Sequence, residues 1–418
     1  MSLKTIDIKE GIKLHEIKTN KFKTNLISVF LTSKLSREDI TKKALILTIL
    51  RRGTNNLQSQ EEINKKLEEL YGASFDCGID KLGDNHVLKF YIESLNEEYI
   101  YEKEDILNKS LNILFDIVFN PLVENAHFKE EYVNEEKNNV KLIIEGQKDN
   151  KSAYATQRCI EEMYKDKPYG LYKYGYIEDL DKIDSKNLYE TYLELIKTCK
   201  IDIFVSGNFD DTKLEKGIIE NQLISKLEPR KIELLNEKDE SNQKENVVKE
   251  SMQISQGKLD IGLNVKSKNK NAVSVYNAIL GGGANSKLFQ NVREKASLAY
   301  SAGSIYIKPK GKIIIKTGIE HKNYEKTLEI IKKQIEDMKN GKFTDEDIKN
   351  AKELIIASFK SMQDEQDSEI SFYFGREIQR ESVDIEKQIK DISDVTKENI
   401  VEAANSIEIN TIFFLTKE

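Results

Sequence analysis

The sequence predicts an α+β protein of two similar domains, each an antiparallel sheet packed with helices, and three observations carry that expectation. Apolar residues switch repeatedly between a period of two and a period near 3.6, and most strand-like runs follow one another closely enough to be joined as hairpins. The same order of elements occurs twice, so that glycine turns at Gly53 and Gly281–Gly283 fall about 230 residues apart, as do Tyr71 and Tyr300. Between the repeats, 226–250 is dense in Lys, Glu and Asn and reads as a linker. The predicted organisation is a first domain over 1–225, a charged linker over 226–250 and a second domain over 251–418.

In the first domain the apolar run Leu26–Leu31 predicts a strand and Thr41–Leu50 a helix, followed by a glycine turn. Ile63, Leu67 and Leu70 at helical spacing predict a helix that ends at Tyr71-Gly72-Ala73. Ser74–Asp80 and His86–Glu93 read as paired strands, Glu104–Phe119 as a long helix with Leu111–Phe119 in the core, and Phe128 to about Tyr164 as further helix. A strand at Ile201–Val205 closes the repeat. The second domain opens with the alternating strand Lys258–Val265 and the helix Asn271–Leu280. After the triple glycine come a short helix to Ala299, strands Ile305–Lys308 and Ile313–Thr317, helices Tyr324–Met338 and Thr344–Met362, and a last strand Thr411–Leu415.

A chain of 418 residues is long enough to bury two sizeable cores, and 33% charged against 39% hydrophobic residues fits a well-solvated surface. Its net charge of −7 gives no basic field for a polyanion, which argues against nucleic-acid binding. No apolar run approaches the length of a membrane-spanning helix, and the first residues hold no apolar core of signal-peptide length. Cys77, Cys159 and Cys199 are odd in number and widely spaced, a pattern of reduced thiols rather than a disulfide framework. Cytoplasmic location and the absence of a membrane partner are the resulting expectations.

Two segments carry the functional signal. From Ala44 to Thr54 the chain reads A-L-I-L-T-I-L-R-R-G-T, and from Ile279 it reads I-L-G-G-G-A-N-S-K-L-F followed by V-R-E-K-A-S-L-A-Y at Val292–Tyr300. The second segment closely resembles the LGGG-x-x-S-x-L-F and R-E-x-x-x-L-x-Y blocks of the insulinase/pitrilysin/mitochondrial-processing-peptidase family, peptidase family M16. Pro168-Tyr169-Gly170 with Gly175, the helical stretch around Leu188 and Tyr192, and Ile201–Phe209 follow in the order family members show. The resemblance implies two domains cupped around a chamber. It also places an inverted zinc motif, H-x-x-E-H, on the helix before Gly53-Thr54. Two histidines at i and i+4 share one helical face and reach one metal, with the glutamate as general base. Here Ala44 and Thr48 stand at the histidine positions and Leu47 at the glutamate position. The third ligand of the family, a glutamate on a helix downstream, corresponds to Ile144 or, one residue on, Glu145. The implied zinc site is therefore lost in this chain: no metal or cofactor is expected here, and zinc only in a partner subunit.

In active family members an Arg and a Tyr spaced as Arg293 and Tyr300 hydrogen-bond substrate backbone beside the zinc, and both side chains donate to a carbonyl or developing oxyanion. The plain alternative is an Arg293–Glu294 ion pair and a Tyr300 buried as core. Gly281, Gly282 and Gly283 lack the G-K-[ST] order of a phosphate loop. They read either as a helix terminus needing positive φ or, by the resemblance, as a loop that lets extended substrate approach. Glu130-Glu131 and Glu135-Glu136 read as solvated helix faces. His15, His86, His127 and His321 are isolated in sequence and read as ordinary surface or strand histidines.

The leading expectation is a non-catalytic M16 homologue that binds peptide or unfolded protein and completes the site of a zinc-bearing paralogue in a heterodimer, self-association being the other assembly. One alternative is a peptide-binding scaffold without a peptidase partner; some bacterial proteins that this chain resembles are associated with elongation factor P modification. Another is a zinc peptidase with an unconventional metal site built from distant histidines.

Overall fold

The computed structural model describes residues 3–101, 104–232 and 245–417. The chain begins with strands β1 (Leu3–Lys9), β2 (Ile12–Lys18) and β3 (Thr24–Lys34), then helices α1 (Ile40–Leu50) and α2 (Gln60–Glu69). A hairpin, β4 (Ser74–Leu82) and β5 (Asn85–Leu95), leads to α3 (Ile106–Phe119) and the short strands β6 (Val123–Glu124) and β7 (His127–Phe128). Helices α4 (Glu130–Gly146), α5 (Lys151–Met163), α6 (Ile177–Leu180) and α7 (Ser185–Thr198) precede β8 (Lys200–Gly207), α8 (Asp211–Ile219) and α9 (Gln222–Lys226). The second half runs β9 (Asn246–Ser251), β10 (Gly257–Val265), α10 (Lys270–Gly281), β11 (Ala299–Ile307), β12 (Lys312–Ile319), α11 (Tyr324–Lys339) and α12 (Asp345–Met362). It ends with α13 (Gln366–Gln379), α14 (Ile385–Ser393), α15 (Lys397–Asn405) and β13 (Ile407–Thr416).

Local chemistry sets many of these starts. Ser59, Asp105, Asn150 and Asn269 each turn a side-chain oxygen onto a first-turn backbone N–H, and Asp184/Asn187 and Thr396/Asn399 form reciprocal capping boxes. No helix of the described residues is long and apolar enough to cross a membrane.

The strands form a six-stranded sheet, β1-β2-β8-β3-β5-β4, and a five-stranded sheet, β11-β12-β10-β13-β9. Strand for strand, β4-β5-β3-β8-β2 repeats as β11-β12-β10-β13-β9, so the duplication read in the sequence extends to topology. Both sheets are antiparallel except for one pair each, β2 with β8 and β9 with β13. Central β8 is buried along its whole length, its apolar Ile201, Ile203, Phe204 and Val205 sharing that burial with Lys200, Asp202 and Ser206.

The two compact units are not the contiguous halves 1–225 and 251–418. The first comprises Met1–Glu145, Leu171–Asn236 and Gln363–Ser382, and the second Gly146–Gly170, Glu237–Met362 and Val383–Glu418. Each half of the sequence has lent one helix to the other unit. The continuous helix expected from Phe128 to Tyr164 is broken after Gly146, and Asn150 caps a new helix by accepting Ala153 N at 3.0 Å. That helix, α5, packs Tyr154, Cys159, Ile160 and Met163 on Ile314, Phe413 and Leu415 of the five-stranded sheet. Gly262 of β10 makes room for it, since a Cβ there would stand 2.2 Å from Met163 Sδ. In the first unit α13 lays Ile370, Tyr373, Phe374 and Ile378 over Ile17, Phe30 and Phe204. Phe374 stacks on Phe30 with centroids 4.1 Å apart. The expected linker narrows from both sides: Arg230 is buried against the carbonyls of Glu228 and Ile196, and β9 begins at Asn246, while 233–244 lie outside the described residues.

Candidate functional site: an erased metal helix and an exposed edge strand

Helix α1 is apolar nearly all round, and every residue from Ile40 to Leu50 except Lys42 is buried, as such a helix must be. Ala44 has no exposed surface, Leu47 is 4% exposed and Thr48 is 9% exposed. The Thr48 hydroxyl donates to Leu45 O at 3.0 Å, so its one polar atom bonds to its own helix. The start of α1 is fixed by Thr41, whose Oγ1 donates to Asp179 Oδ2 at 2.7 Å and accepts from Tyr176 N at 3.0 Å. Gly175 has φ +78°, and any Cβ there would lie 2.6 Å from Thr41 Cα, so glycine satisfies both constraints.

On α4 the residues Glu136, Val140 and Ile144 recur every four positions on one face. Val140 is fully buried and Ile144 packs against the apolar core, whereas Glu145 is exposed and lies 3.9 Å from Lys141. Ile144 therefore faces inward and Glu145 does not. Glu136, read as part of a solvated face, is only 4% exposed, because Arg52 reaches it at 3.3 Å. The same guanidinium bonds Glu135 and covers the Tyr132 ring at 4.6 Å. Arg52 thus clasps the end of α1 to α4, a role that the R-R-G-T string did not announce. A catalytic zinc needs imidazole, carboxylate or thiolate donors, and none of Ala44, Leu47, Thr48 and Ile144 supplies one.

The second unit presents a different picture. At the end of α10, Gly281 is buried against β11, where a Cβ would come 2.5 Å from Ser304 N. Neither Gly281, Gly282 nor Gly283 has positive φ. The reading of the triple glycine as a positive-φ terminus is corrected accordingly: its first member permits close strand approach, and Gly283 is open to solvent. Phe289–Lys295 forms a π-helical turn in place of an ordinary short helix, and Ser297 adopts a left-handed conformation, φ 52°. The chain then enters β11 through a bulge between Ala299 and Ser301, which leaves Tyr300 without a partner on β12. A bulge re-aims a side chain, and Tyr300 is 63% exposed. The buried-tyrosine alternative does not hold. Arg293 is exposed too, its guanidinium 4.5 Å from the Phe289 ring centre and its Nε 3.7 Å from Glu294 Oε1. β11 is an edge strand, with one row of backbone groups facing away from the sheet.

A protein of Bacillus subtilis strain 168 described as "Probable inactive metalloprotease YmfF" is 35% identical over 411 residues, covering 97% of this chain and 96% of its own. The chain belongs to the M16 peptidase family. Residues 182–355 match the family model described as "Peptidase M16 inactive domain". A conserved protein from Enterococcus faecalis V583 superposes over 100% of this chain and 99% of its own, with a TM-score of 0.90 and 27% identity. A peptidase M16 inactive domain from Pseudomonas fluorescens shares the fold at a TM-score of 0.80 and 18% identity, covering 100% and 99%. The chain is thus an M16 homologue of the inactive kind.

The alternative of an unconventional metal site has a structural counterpart in this M16 chain. His15, Asp202 and Glu377 bring ligand atoms within 4.8 Å of one another. Both ring nitrogens of His15 and one oxygen of each carboxylate are already engaged internally. His15 Nδ1 lies 3.0 Å from Thr5 Oγ1 and Nε2 2.9 Å from Asp202 Oδ1. Lys200 Nζ bonds Asp202 and lies 3.1 Å from Glu377 Oε1, and Lys13 Nζ lies 2.9 Å from the same oxygen. Lys200 beside Asp202, and Lys200 with Lys13 beside Glu377, hold both carboxyls below the usual range despite their burial. Two ammonium groups occupy the place a cation would take, so the cluster is a structural ion network tying α13 to the sheet. His86 is buried with Nε2 2.9 Å from Lys173 O, and burial with Lys43 nearby lowers its pKa to about 3. His321 Nδ1 lies 3.0 Å from Thr416 Oγ1, and His127 is half-buried in β7. Sequence separation concealed the His15 network, since its members come from β2, β8 and α13.

Proposed function

We propose that this chain is the substrate-binding, site-completing subunit of a cytoplasmic heterodimeric peptidase whose paralogous partner carries the zinc. The observation that carries this reading is Tyr300, which a β-bulge turns outward at the start of a free sheet edge, in a chain whose metal helix is packed with apolar side chains. An extended peptide can add to the edge of β11 by main-chain hydrogen bonds. The Tyr300 phenol and Arg293 guanidinium then donate to the carbonyl that becomes an oxyanion in the partner's reaction. A second reading, a peptide-binding scaffold with no peptidase partner, is favoured by the internal contacts of Arg293 with Phe289 and Glu294.

Mixing Arg293→Ala or Tyr300→Phe protein with the zinc-bearing paralogue, and measuring peptide cleavage beside heterodimer affinity, separates the two. Loss of one oxyanion donor costs on the order of 10²–10³ in turnover. That loss, at unchanged affinity and melting temperature, is expected. Unchanged turnover in an intact heterodimer, or no heterodimer at all, would leave the scaffold reading.

A further inference from the structure

The internal duplication makes β9 of the second sheet the counterpart of β2 in the first, yet the outer edges of the two strands differ. In the six-stranded sheet β1 lies antiparallel along the outer edge of β2. In the five-stranded sheet β9 is terminal, and among the described residues no strand takes the place of β1. The sequence before β9 holds no counterpart of L-K-T-I-D-I-K either. From Asn236 to Glu245 it reads N-E-K-D-E-S-N-Q-K-E, without one apolar residue, and Asn, Asp, Glu and Lys are depleted in strands.

β9 runs parallel to β13, from Asn246 against Thr411 to Ser251 against Thr416, with no shift in register. Met252 N donates to Thr416 O at 2.9 Å. In a parallel pair, residues that bond the neighbouring strand alternate with residues whose N–H and C=O face away. Met252 sets that phase: Val248 and Glu250 bond β13, and Val247, Lys249 and Ser251 turn their backbone groups outward. The side chains leave this edge open. Val247 is 52% exposed. Lys249, the residue type that commonly guards an edge, holds its ammonium 4.5 Å from the Tyr324 ring centre. Glu245 lies 3.2 Å from Lys332, and Glu250 is held on the other face by Arg158 and Tyr154.

We propose that β9 pairs antiparallel with β9 of a second copy of this chain, about a two-fold axis at Val248, so that one sheet runs through both copies. A two-fold axis normal to the sheet keeps every residue on its own face, and the outward-facing residues then meet one another. With the axis at Val248, Val247 exchanges backbone hydrogen bonds with Lys249 of the second copy, Glu245 meets Ser251, and Val248 meets Val248. An axis at Lys249 would set two ammonium groups directly opposite each other, which is unfavourable. An axis at Val247 would give up the pairs between Glu245 and Ser251. β11, at the opposite end of the sheet, stays free, so the proposal is independent of the peptide-binding reading.

The test follows the full chain by sedimentation velocity from about 1 µM to 1 mM, since so small an interface lies at the weak end of association. A reversible monomer–dimer equilibrium is expected, with the Val247 and Lys249 amides protected from hydrogen exchange only where dimer is populated. Lys249→Pro removes an outward N–H and spares the ladder with β13, so it abolishes the dimer at unchanged circular dichroism. Val247→Lys places like charges opposite each other twice per dimer and is expected to weaken association about tenfold. Combining Val247→Lys with Lys249→Glu restores it. Should Lys249→Pro disturb the fold, the two charge variants decide alone. A chain that stays monomeric at the highest concentration, whether its edge is open or covered by its own residues, would overturn the proposal. So would a dimer that is insensitive to these substitutions, since it would lie on another surface.

Discussion

Replacing Asp260 with asparagine is expected to flatten the pH dependence of stability in the second unit. Asp260 lies on β10 beneath α5 and is 1% exposed. Its Oδ2 accepts from Thr156 Oγ1 at 2.7 Å, and Lys316 stands opposite on β12 with Lys258 two residues away. Burial outweighs all three and raises the carboxyl from 3.8 to about 7. Because the folded pKa lies above the unfolded one, the folded state holds the proton more tightly and ionisation costs stability. The penalty is full above pH 7 and vanishes as pH falls toward 4. By linkage it reaches about 4 kcal/mol at pH 8, of which roughly 2–3 kcal/mol is recovered by pH 5. Asparagine keeps an acceptor for Thr156 and never ionises, but it buries an amide donor at a cost of about 1–3 kcal/mol. The variant should therefore be the more stable protein at pH 8 and lose that lead by pH 5. The chain contains no tryptophan, so far-UV circular dichroism in urea at several pH values is the global probe, and hydrogen exchange in α5 and β10 localises the effect. Parallel pH profiles for the two proteins would refute the argument. A wild type that instead gains on the variant as pH rises would mean that Lys258 and Lys316 hold the carboxylate ionised.

Three further outcomes follow from the packing. The purified chain should carry no stoichiometric zinc and cleave no peptide alone, and the variant with Ala44→His, Leu47→Glu and Thr48→His should bind zinc at least about 10–100-fold more weakly than a native site, because supporting partners are missing too; elemental analysis and a chelator-sensitive peptidase assay decide both. Gly281→Ala pushes a Cβ into the backbone of Ser304, an overpacking expected to cost about 1–3 kcal/mol, and a melting temperature within a degree of wild type would contradict it. Phe374→Ala removes the ring stacked on Phe30, should destabilise the first unit by about 3–5 kcal/mol, and should open 363–382 to limited proteolysis.

The elements were legible wherever the apolar period was strong. Helices α1, α10, α11 and α12 and strands β3, β5, β10 and β12 lie within a few residues of their expected bounds. β1 and β2 were not anticipated, because L-K-T-I-D-I-K and I-K-L-H-E-I-K look like a solvated hairpin until β8 is found beside β2. α13 escaped for the opposite reason: its apolar face is complementary to sheet residues Ile17, Phe30 and Phe204, all far earlier in the chain, and no local pattern encodes that partner. The same holds for the candidate site. Ala44, Leu47, Thr48, Arg293 and Tyr300 could be located by their spacing from glycines, which is local. That Tyr300 sits on a bulge depends on the register of β11 against β12, and that Glu136 is buried depends on Arg52, both of which are tertiary facts.

The exchange of helices has a consequence for how the protein is made. The first unit lacks its covering helix until residue 379 has been synthesised, about 140 residues after its preceding segment ends. At ribosomal speeds of about 5–20 residues per second this is a wait of roughly seven to thirty seconds. Throughout that interval Phe30, Phe204 and their neighbours on one face of the nascent sheet have only water, or a chaperone, to cover them. The folding of the N-terminal sheet is therefore timed by the C-terminal end of the gene, and a stop anywhere before α13 should yield an aggregating fragment rather than a smaller stable domain.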